Sequence, residues 1–462
     1  MHCQRVRRTP VSEPDPAPDN YGINEHLQAS PPVASESSIG KIRLICRKTT
    51  DAKLEAFHHA RAKGAERSDA LTSDRADIRS PIAPPIPAGS AVRPIAEWQQ
   101  AVLEREKMTD YFEIDFLGVE TAKSGDAITL RYSIGGITRI HVVDGGYLGT
   151  SDQIVEHLKT YYGAPTFIDA VVLTHSDRDH ANGLRKILET YDIGCLYMNR
   201  PWLYAEELLP RFETYTSASA LYQKLREVYA AVVELEDIAL RRGIPISDAF
   251  QGAAIGSFTV MAPSRTRYLD LIVSSQKTPE AAKAEGSARF SPLRHLVEAA
   301  KNFIAAAWGE ERFPADGTSS ENEMSLVQYL NFGGEPILLT GDAGREALTE
   351  TIAYAPMVGL KLPGLKMVQV PHHGGRHNVS SEILDALLGP KLDSMPAKTL
   401  FAAICSSAKE DKDHPRKVVK RAFLHRGAHF SETEGKTVNW SRGINRGWTS
   451  IPQADYPTEM EE

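Results

Sequence analysis

The chain has 462 residues, a net charge of −7, 42% hydrophobic and 24% charged residues, the balance of a soluble globular enzyme with more chain than one domain of ordinary size needs. The acidic total excludes a surface built throughout for nucleic acid, although local contact stays open. No run of about 18 apolar residues exists to span a membrane, and the prolines and acids of the first thirty residues are not those of a secretory signal.

Residues 1–107 hold 11 of the 28 prolines but only three of the 35 aromatics, Tyr21, Phe57 and Trp98, with 16 basic against 14 acidic side chains. So little apolar area does not offset chain entropy. This leader is expected to be disordered apart from short helices around 51–68 and 95–107, or not translated at all if synthesis begins at Met108. Pro81-Ile82-Ala83-Pro84-Pro85-Ile86-Pro87 reads as an extended linker. From Tyr111 the pattern changes. Short β-rich runs bounded by Gly or Asp predict strands over 111–117, 127–134 and 138–143. A helix over 151–162 and a strand over 168–173, apolar apart from Asp169, follow. Leu and Ala at three- and four-residue spacing predict helices within 200–245, and 266–315 reads as polar, Ala-rich helix. The span 200–320 is therefore expected to be a helical insertion, with one short strand at 257–261. Strands over 325–332 and 336–339 flank Gly333-Gly334, a hairpin signal. A helix over 343–354, a strand over 366–370, a helix over 380–388, a strand over 399–405 and a helix over 414–426 come next. Alternation of strands and helices predicts sheets covered on both faces.

The chemistry sits at strand ends. Thr174-His175-Ser176-Asp177-Arg178-Asp179-His180 directly follows the strand 168–173. Two His and two Asp launched from a strand end into a loop can converge on one or two cations, and an ordinary polar turn has no need of them. Leu338-Leu339-Thr340-Gly341-Asp342 ends an apolar strand in Gly-Asp, where Asp342 taken alone reads as a helix N-cap. Val368-Gln369-Val370-Pro371-His372-His373-Gly374-Gly375 ends a β-run in paired histidines, and its glycines let the backbone turn closely around a cofactor or substrate. Val142-Val143-Asp144-Gly145-Gly146 ends in an acid that reads as a hydrogen-bond acceptor orienting a ligand rather than as a ligand itself. The four cysteines, Cys3, Cys46, Cys195 and Cys405, lack C-x-x-C spacing, which fits a reducing cytoplasm and neither a disulfide framework nor a thiolate zinc site.

Taken in order, these elements resemble the metallo-β-lactamase superfamily over roughly 111–440, and more narrowly the hydrolase domain of ComEC-like competence proteins. The resemblance is carried by Ser124-Gly125-Asp126-Ala127, Val143-Asp144-Gly145-Gly146, His175-x-Asp177-x-Asp179-His180 and Asn322-x-x-Ser325-Leu326-Val327. Leu339-Thr340-Gly341-Asp342, His372-His373-Gly374 with Arg376-His377-Asn378, and His414-Pro415 complete it. It implies an α/β fold, an αββα sandwich of two sheets back to back with helices outside and metals at one edge, formed by 108–462. It also implies two divalent ions, Zn²⁺ or Mn²⁺. His175, Asp177 and Asn322 would form the first position. Asp179, His180 and either His372 or His373 would form the second, with Asp342 between the two. Asp179 is central to catalysis in this scheme, and His377 and His414 are candidates to protonate a leaving group, His414 reading equally as a helix cap.

Three departures stand out. Asp177 replaces the second His of the usual H-x-H-x-D-H, Asn322 stands where a separate His is usual, and Asn182-Gly183 replaces paired glycines. Carboxylate and amide in place of imidazole harden the first position toward Mn²⁺ or Mg²⁺.

The expected function is metal-dependent hydrolysis of a phosphodiester in DNA, RNA or a nucleotide, in other words a phosphodiesterase or nuclease. Hydrolysis of a carboxylic ester, lactone or amide is the main alternative. A non-catalytic metal-binding scaffold, presenting 200–320 to a protein partner, is the other. Lys409, Lys412, Arg416, Lys417, Lys420, Arg421 and Arg426 could hold a phosphate backbone or form a solvated helix face. No aromatics interleave with them, so no base-stacking platform is visible, and no G-x-x-x-x-G-K-[S/T] motif points to a nucleotide-binding loop.

Overall fold

The computed structural model describes residues 110–119, 121–278 and 308–459. The leader 1–107 with Cys3 and Cys46, and the part of the expected helical insertion from 279 to 307, lie outside the described residues. In chain order the first strands are β1 (Tyr111–Phe116), β2 (Ala127–Ile134), β3 (Ile137–Gly145), β4 (Phe167–Val172), β5 (Asp192–Tyr197) and β6 (Ile246–Ser247). Next come β7 (Ala254–Ile255), β8 (Phe258–Ala262), β9 (Val327–Phe332) and β10 (Glu335–Leu339). Then follow β11 (Met367–Gln369), β12 (Phe401–Cys405), β13 (Ala428–Glu432) and β14 (Val438–Arg442). They form two seven-stranded sheets, ordered β14-β1-β2-β3-β4-β5-β6 and β13-β12-β11-β10-β9-β8-β7. In each sheet one half is antiparallel and the other parallel, the parallel halves being β3 to β6 and β10 to β13.

β1 shows why the sheets stack. Phe112, Ile114 and Phe116 alternate with Glu113 and Asp115, so the period of two sends the apolar side chains between the sheets and the acids to the outer face. Those acids are buried as well, which demands partners. Arg446 meets Glu113 at 2.8 Å and Asp115 at 2.9 Å, while His157 and Tyr162 donate to Asp115 at 3.0 and 2.8 Å. β4 is buried on both faces: Ala170 and Val172 face the other sheet, and Val171 and Leu173 face helices. Its one acid, Asp169, accepts from the Ile140 amide at 2.9 Å and from Arg139 at 3.2 Å.

Helices Thr150–Tyr161, Leu184–Thr190, Ala218–Val228 and Ala230–Arg242 cover the outer face of the first sheet. Arg345–Tyr354, Ser381–Leu388 and Lys417–His425 cover that of the second. The layer order is helix, sheet, sheet, helix, as the sequence led us to expect. The span 200–320 contributes helices to the first cover, but it also carries β6, β7 and β8, which pass the chain from one sheet to the other. The Gly333-Gly334 hairpin forms between β9 and β10, with both glycines at positive φ of 57° and 89°. β5, β6, β7, β13 and β14 were not anticipated. Among the described residues, no helix is long and apolar enough to cross a membrane.

Candidate metal centre

Parallel strands present all their carboxyl ends at one edge, and this is where an open α/β sheet leaves room for a ligand. β3 ends at Asp144-Gly145, β4 runs out to Thr174-His175, β10 to Gly341-Asp342 and β11 to His372-His373. β2 starts at the same edge, because Ala127 pairs with Gly145, which brings Asp126 there. Gly183 and Gly145 touch so closely that a Cβ on Gly183 would lie 1.9 Å from the Gly145 carbonyl oxygen. Only backbone against backbone permits this approach, and it seats the 174–183 loop over the end of β3.

Asp144 organises that loop from a left-handed backbone, φ 56°. Its carboxylate accepts from the Thr174 amide at 2.8 Å, the Thr174 hydroxyl at 2.7 Å and the His180 Nδ1–H at 2.7 Å. His175 donates its own Nδ1–H to Thr174 Oγ1 at 3.1 Å. On the opposing sheet, His372 donates Nδ1–H to Asn378 Oδ1 at 2.8 Å, and His373 to the Ser406 carbonyl at 3.1 Å. Both histidines hold φ near +50°, at 50° and 53°, a conformation that costs free energy at non-glycine residues and concentrates at functional sites. It lets two consecutive side chains enter one centre, where an extended strand would send them to opposite faces.

All four imidazoles therefore commit Nδ1 and turn Nε2 inward, the pattern that orients histidine as a metal ligand. Asp342 lies between them. Its Oδ2 is 3.7 Å from His175 Nε2 and 3.6 Å from His372 Nε2. Its Oδ1 is 3.3 Å from His180 Nε2 and 3.7 Å from His373 Nε2. Asp177 Oδ2 approaches His175 Nε2 at 3.8 Å, and Asp179 Oδ2 lies 3.6 Å from His373 Nε2 and 3.9 Å from His180 Nε2. The buried atoms His175 Nε2, His180 Nε2, His373 Nε2 and Asp342 Oδ1 have no hydrogen-bond partner. Orphaned polar atoms of ligand type converging in this way fit divalent cations.

Asp126, His180, Asp342 and His373 each bring a ligand-type atom within 4.8 Å of the others. Asp126 meets the Nδ1 edges of His180 and His373, at 3.8 and 4.0 Å, so it stands behind the imidazoles that Asp179 faces in front. Its Oδ2 accepts from the Gln369 side chain at 2.8 Å, whose amide oxygen takes the Thr340 and Gly341 amides at 2.9 and 3.0 Å. Asp126, Asn378 and Gln369 had no role in the sequence reading, although all three stood in the quoted motifs. Asn322 donates its side-chain amide to Thr318 Oγ1 at 2.7 Å, and the group that joins His175 beside Asp342 Oδ2 is the imidazole of His372. The His414 ring stands 5.3 Å from His372 and 6.1 Å from His373, with Nδ1 3.3 Å from Asp411 Oδ2. His377 meets the Asp316 carbonyl at 3.4 Å.

The carboxylates set the protonation of the imidazoles. Burial alone would lower His180, yet Asp342, Asp144 and Asp179 hold it well above its ordinary value. His373, equally buried, is held at about 9 by Asp342, Asp179 and Asp126. Burial would raise Asp342, and the surrounding His180, His373 and His372 outweigh it and keep the carboxyl well below the usual range. Asp126 is pushed up by burial.

Part of the basic run 409–426 is spent inside the protein, while Lys409 and Lys412 are exposed. Arg421 is buried against the Glu459 carbonyl at 2.5 Å, Lys420 pairs with Glu432 at 3.0 Å, and Arg426 is buried on Glu311 and Asp385. Arg416 lines a cavity of about 370 Å³ beside the centre, together with Arg376, His372, His377, His414 and Thr318.

No protein-family model and no curated protein matches the chain. Among solved structures it is similar to YhfI, a metallo-β-lactamase-fold protein from Bacillus subtilis, at 10% identity over 72% of this chain and 100% of that one, with a TM-score of 0.32. It is similar to a CmlA β-hydroxylase variant at 12% identity over 71% of this chain and 53% of that one, TM-score 0.32. It is also similar to AbOPH, a hydrolase in the β-lactamase superfamily, at 14% identity over 47% of this chain and 56% of that one, TM-score 0.24. The chain thus spans about half the length of the last two. TM-scores of this size add nothing to the layer order and the centre, which stand on this chain's own residues.

Proposed function

We propose that the chain is a metal-dependent hydrolase whose centre takes two divalent cations and whose substrate is a phosphodiester. The observation that carries this reading is the division of Asp342, each oxygen facing its own pair of Nε2 atoms. His175, Asp177 and His372 would hold one ion, with His372 in the place expected of Asn322. Asp179, His180 and His373 would hold the other. When bound, two such ions make water nucleophilic near neutral pH and stabilise both the attacking and the leaving oxygen of a phosphodiester. Asp144, Thr174, Asn378 and the Ser406 carbonyl keep the imidazole edges aimed. In the adjoining cavity, Arg376 and Arg416 suit anionic phosphate oxygens. Burial, with repulsion from His373 and His372, lowers His414 to about 4, so it stands neutral at pH 7 with Nδ1 committed to Asp411. Burial lowers His377 as well, and its Nδ1 lies against Asp316, but with a third of its side chain exposed it is the other ring placed to serve the leaving oxygen. The narrower likeness to the competence-protein branch, and with it nuclease activity, belongs to this proposal.

The test is hydrolysis of bis(p-nitrophenyl) phosphate by the full chain, stripped of metal and refilled with Mn²⁺ or Zn²⁺, beside Asp179→Ala. Metal-dependent turnover that disappears in the variant supports the reading. Two bound ions with turnover of a carboxylic ester and none of the phosphodiester would overturn the substrate. Unchanged metal content and turnover in the variant would overturn the site.

A further inference from the structure

The two sides of Asp342 are not equally free. On the His175 side, Lys277 Nζ lies 2.6 Å from Asp177 Oδ1, an ion pair that the sequence does not announce across 100 residues. The Asp177 carboxylate makes no capping bond to the helix Arg178–Ala181 that it precedes, so it is available to a cation. The main chain of Lys277 is anchored where it stands. Its amide donates to Ser275 Oγ at 3.1 Å, and the buried Ser275 hydroxyl is itself bound to Glu321. The side chain is 42% exposed and carries its ammonium on a flexible stem, so it can leave Asp177 without disturbing the core. On the other side, Asp179 faces only imidazoles, and among the described residues no lysine or arginine pairs with it or with Asp342.

We propose that Lys277 is an internal counter-cation competing with a divalent ion for Asp177, so that the Asp179–His180–His373 position fills first and the His175–Asp177–His372 position only as Lys277 gives way. This rests on the two-position reading of the centre. The competition follows from charge. With Lys277 in place, the first position offers two imidazoles, a shared Asp342 and a carboxylate already paired with an ammonium. The second offers a carboxylate that no lysine or arginine among the described residues occupies, two imidazoles whose protons an arriving cation can displace, and the negative field of Asp144 behind His180. Lys277 thereby sets metal stoichiometry at low free metal; it is a positioning residue, not a ligand.

The experiment is calorimetric titration of the metal-stripped full chain with Mn²⁺ alone, with bound metal counted after dialysis. Wild type, Lys277→Met, Lys277→Arg and Asp179→Ala are compared, each checked for an unchanged unfolding temperature. Wild type is expected to show one tight and one weak ion. Lys277→Met should tighten the weak ion by about tenfold, the scale of effects on metal affinity from groups that contact ligands, and leave the tight one within twofold. Lys277→Arg, which keeps the charge, should behave as wild type, and a merely structural lysine would not give that pattern. Equal affinities in wild type together with no change in Lys277→Met would overturn the role of Lys277 and leave the centre standing. Two ions retained in Asp179→Ala, or no ion in wild type, would overturn the two-position reading and this proposal with it.

Discussion

Asp144 Oδ2 accepts the Nδ1–H of His180 at 2.7 Å, joining the end of β3 to the helix 36 residues later and turning His180 Nε2 toward Asp342. The same carboxylate holds Thr174, which holds His175, so one acid from one strand orients imidazoles on both sides of the centre. Asp144→Asn retains the shape but removes the charge that makes both rings better donors. Metal affinity is expected to fall about 10–100-fold, read by calorimetric titration with Mn²⁺.

Gly375 sits at an ordinary φ of −66°, so the reason for glycine there is space rather than backbone freedom. A Cβ would meet His372 Nδ1 at 2.6 Å and Asn378 Oδ1 at 2.8 Å, the two atoms of one hydrogen bond. Gly375→Ala is expected to push His372 off line and weaken the first ion about 10–100-fold while sparing the second. Bound-metal analysis across a Mn²⁺ titration that reaches two ions in the wild type checks this, and equal loss of both ions would contradict the division of labour around Asp342.

Metal loading should release protons. In the metal-free protein the carboxylates hold His373 at about 9 and His180 well above its ordinary value, so both rings are protonated at pH 7. Metal ligation needs them neutral at Nε2. About two protons should leave per fully loaded centre at pH 7, and apparent affinity should fall as pH drops. Titrations in two buffers of different ionisation enthalpy measure the number released.

A second buried network sets an acid limit on stability. Glu311 accepts from His425 at 2.7 Å, from Arg426 at 2.8 and 3.2 Å and from Ser381 at 2.5 Å. Burial alone would raise its carboxyl, but these partners hold it at about 2, below the ordinary 4.5. Between those values the unfolded chain binds the proton and the folded chain does not. This contribution is therefore complete above pH 4.5 and drains away as pH falls toward 2. Unfolding temperature against pH should fall less steeply over that window in Glu311→Gln, from a lower plateau at pH 7.

The strand ends and their polar loops were legible because short-range pattern and chemistry coincide there. β2 has the bounds expected of it, Ala127–Ile134, and the loop from His175 to His180 carries its ligand types in six consecutive residues. β13 and β14 were missed because each depends on a distant partner. β14 pairs with β1, with Asn439 opposite Asp115, and nothing within Val438–Arg442 announces a strand by itself. The basic run near the C-terminus stayed open between a phosphate contact and a helix face for a related reason. Sequence shows charge but not its partners, and Arg421, Lys420 and Arg426 are already occupied by carbonyls or carboxylates.

By its own order and spacing, the sequence determined the layered α/β class, the edge where ligands gather and most of the groups that gather there. Those are consequences of periodicity and of residue type at strand ends, which are local. Tertiary structure alone decided that His372 and His373 serve opposite oxygens of Asp342, because that depends on two consecutive left-handed residues held by Asn378 and Ser406. It alone brought Lys277 to Asp177 and put Asp126 behind the imidazoles rather than among the ligands. Such choices turn on angles and a few tenths of a nanometre between segments far apart in the chain, and only the folded backbone specifies them.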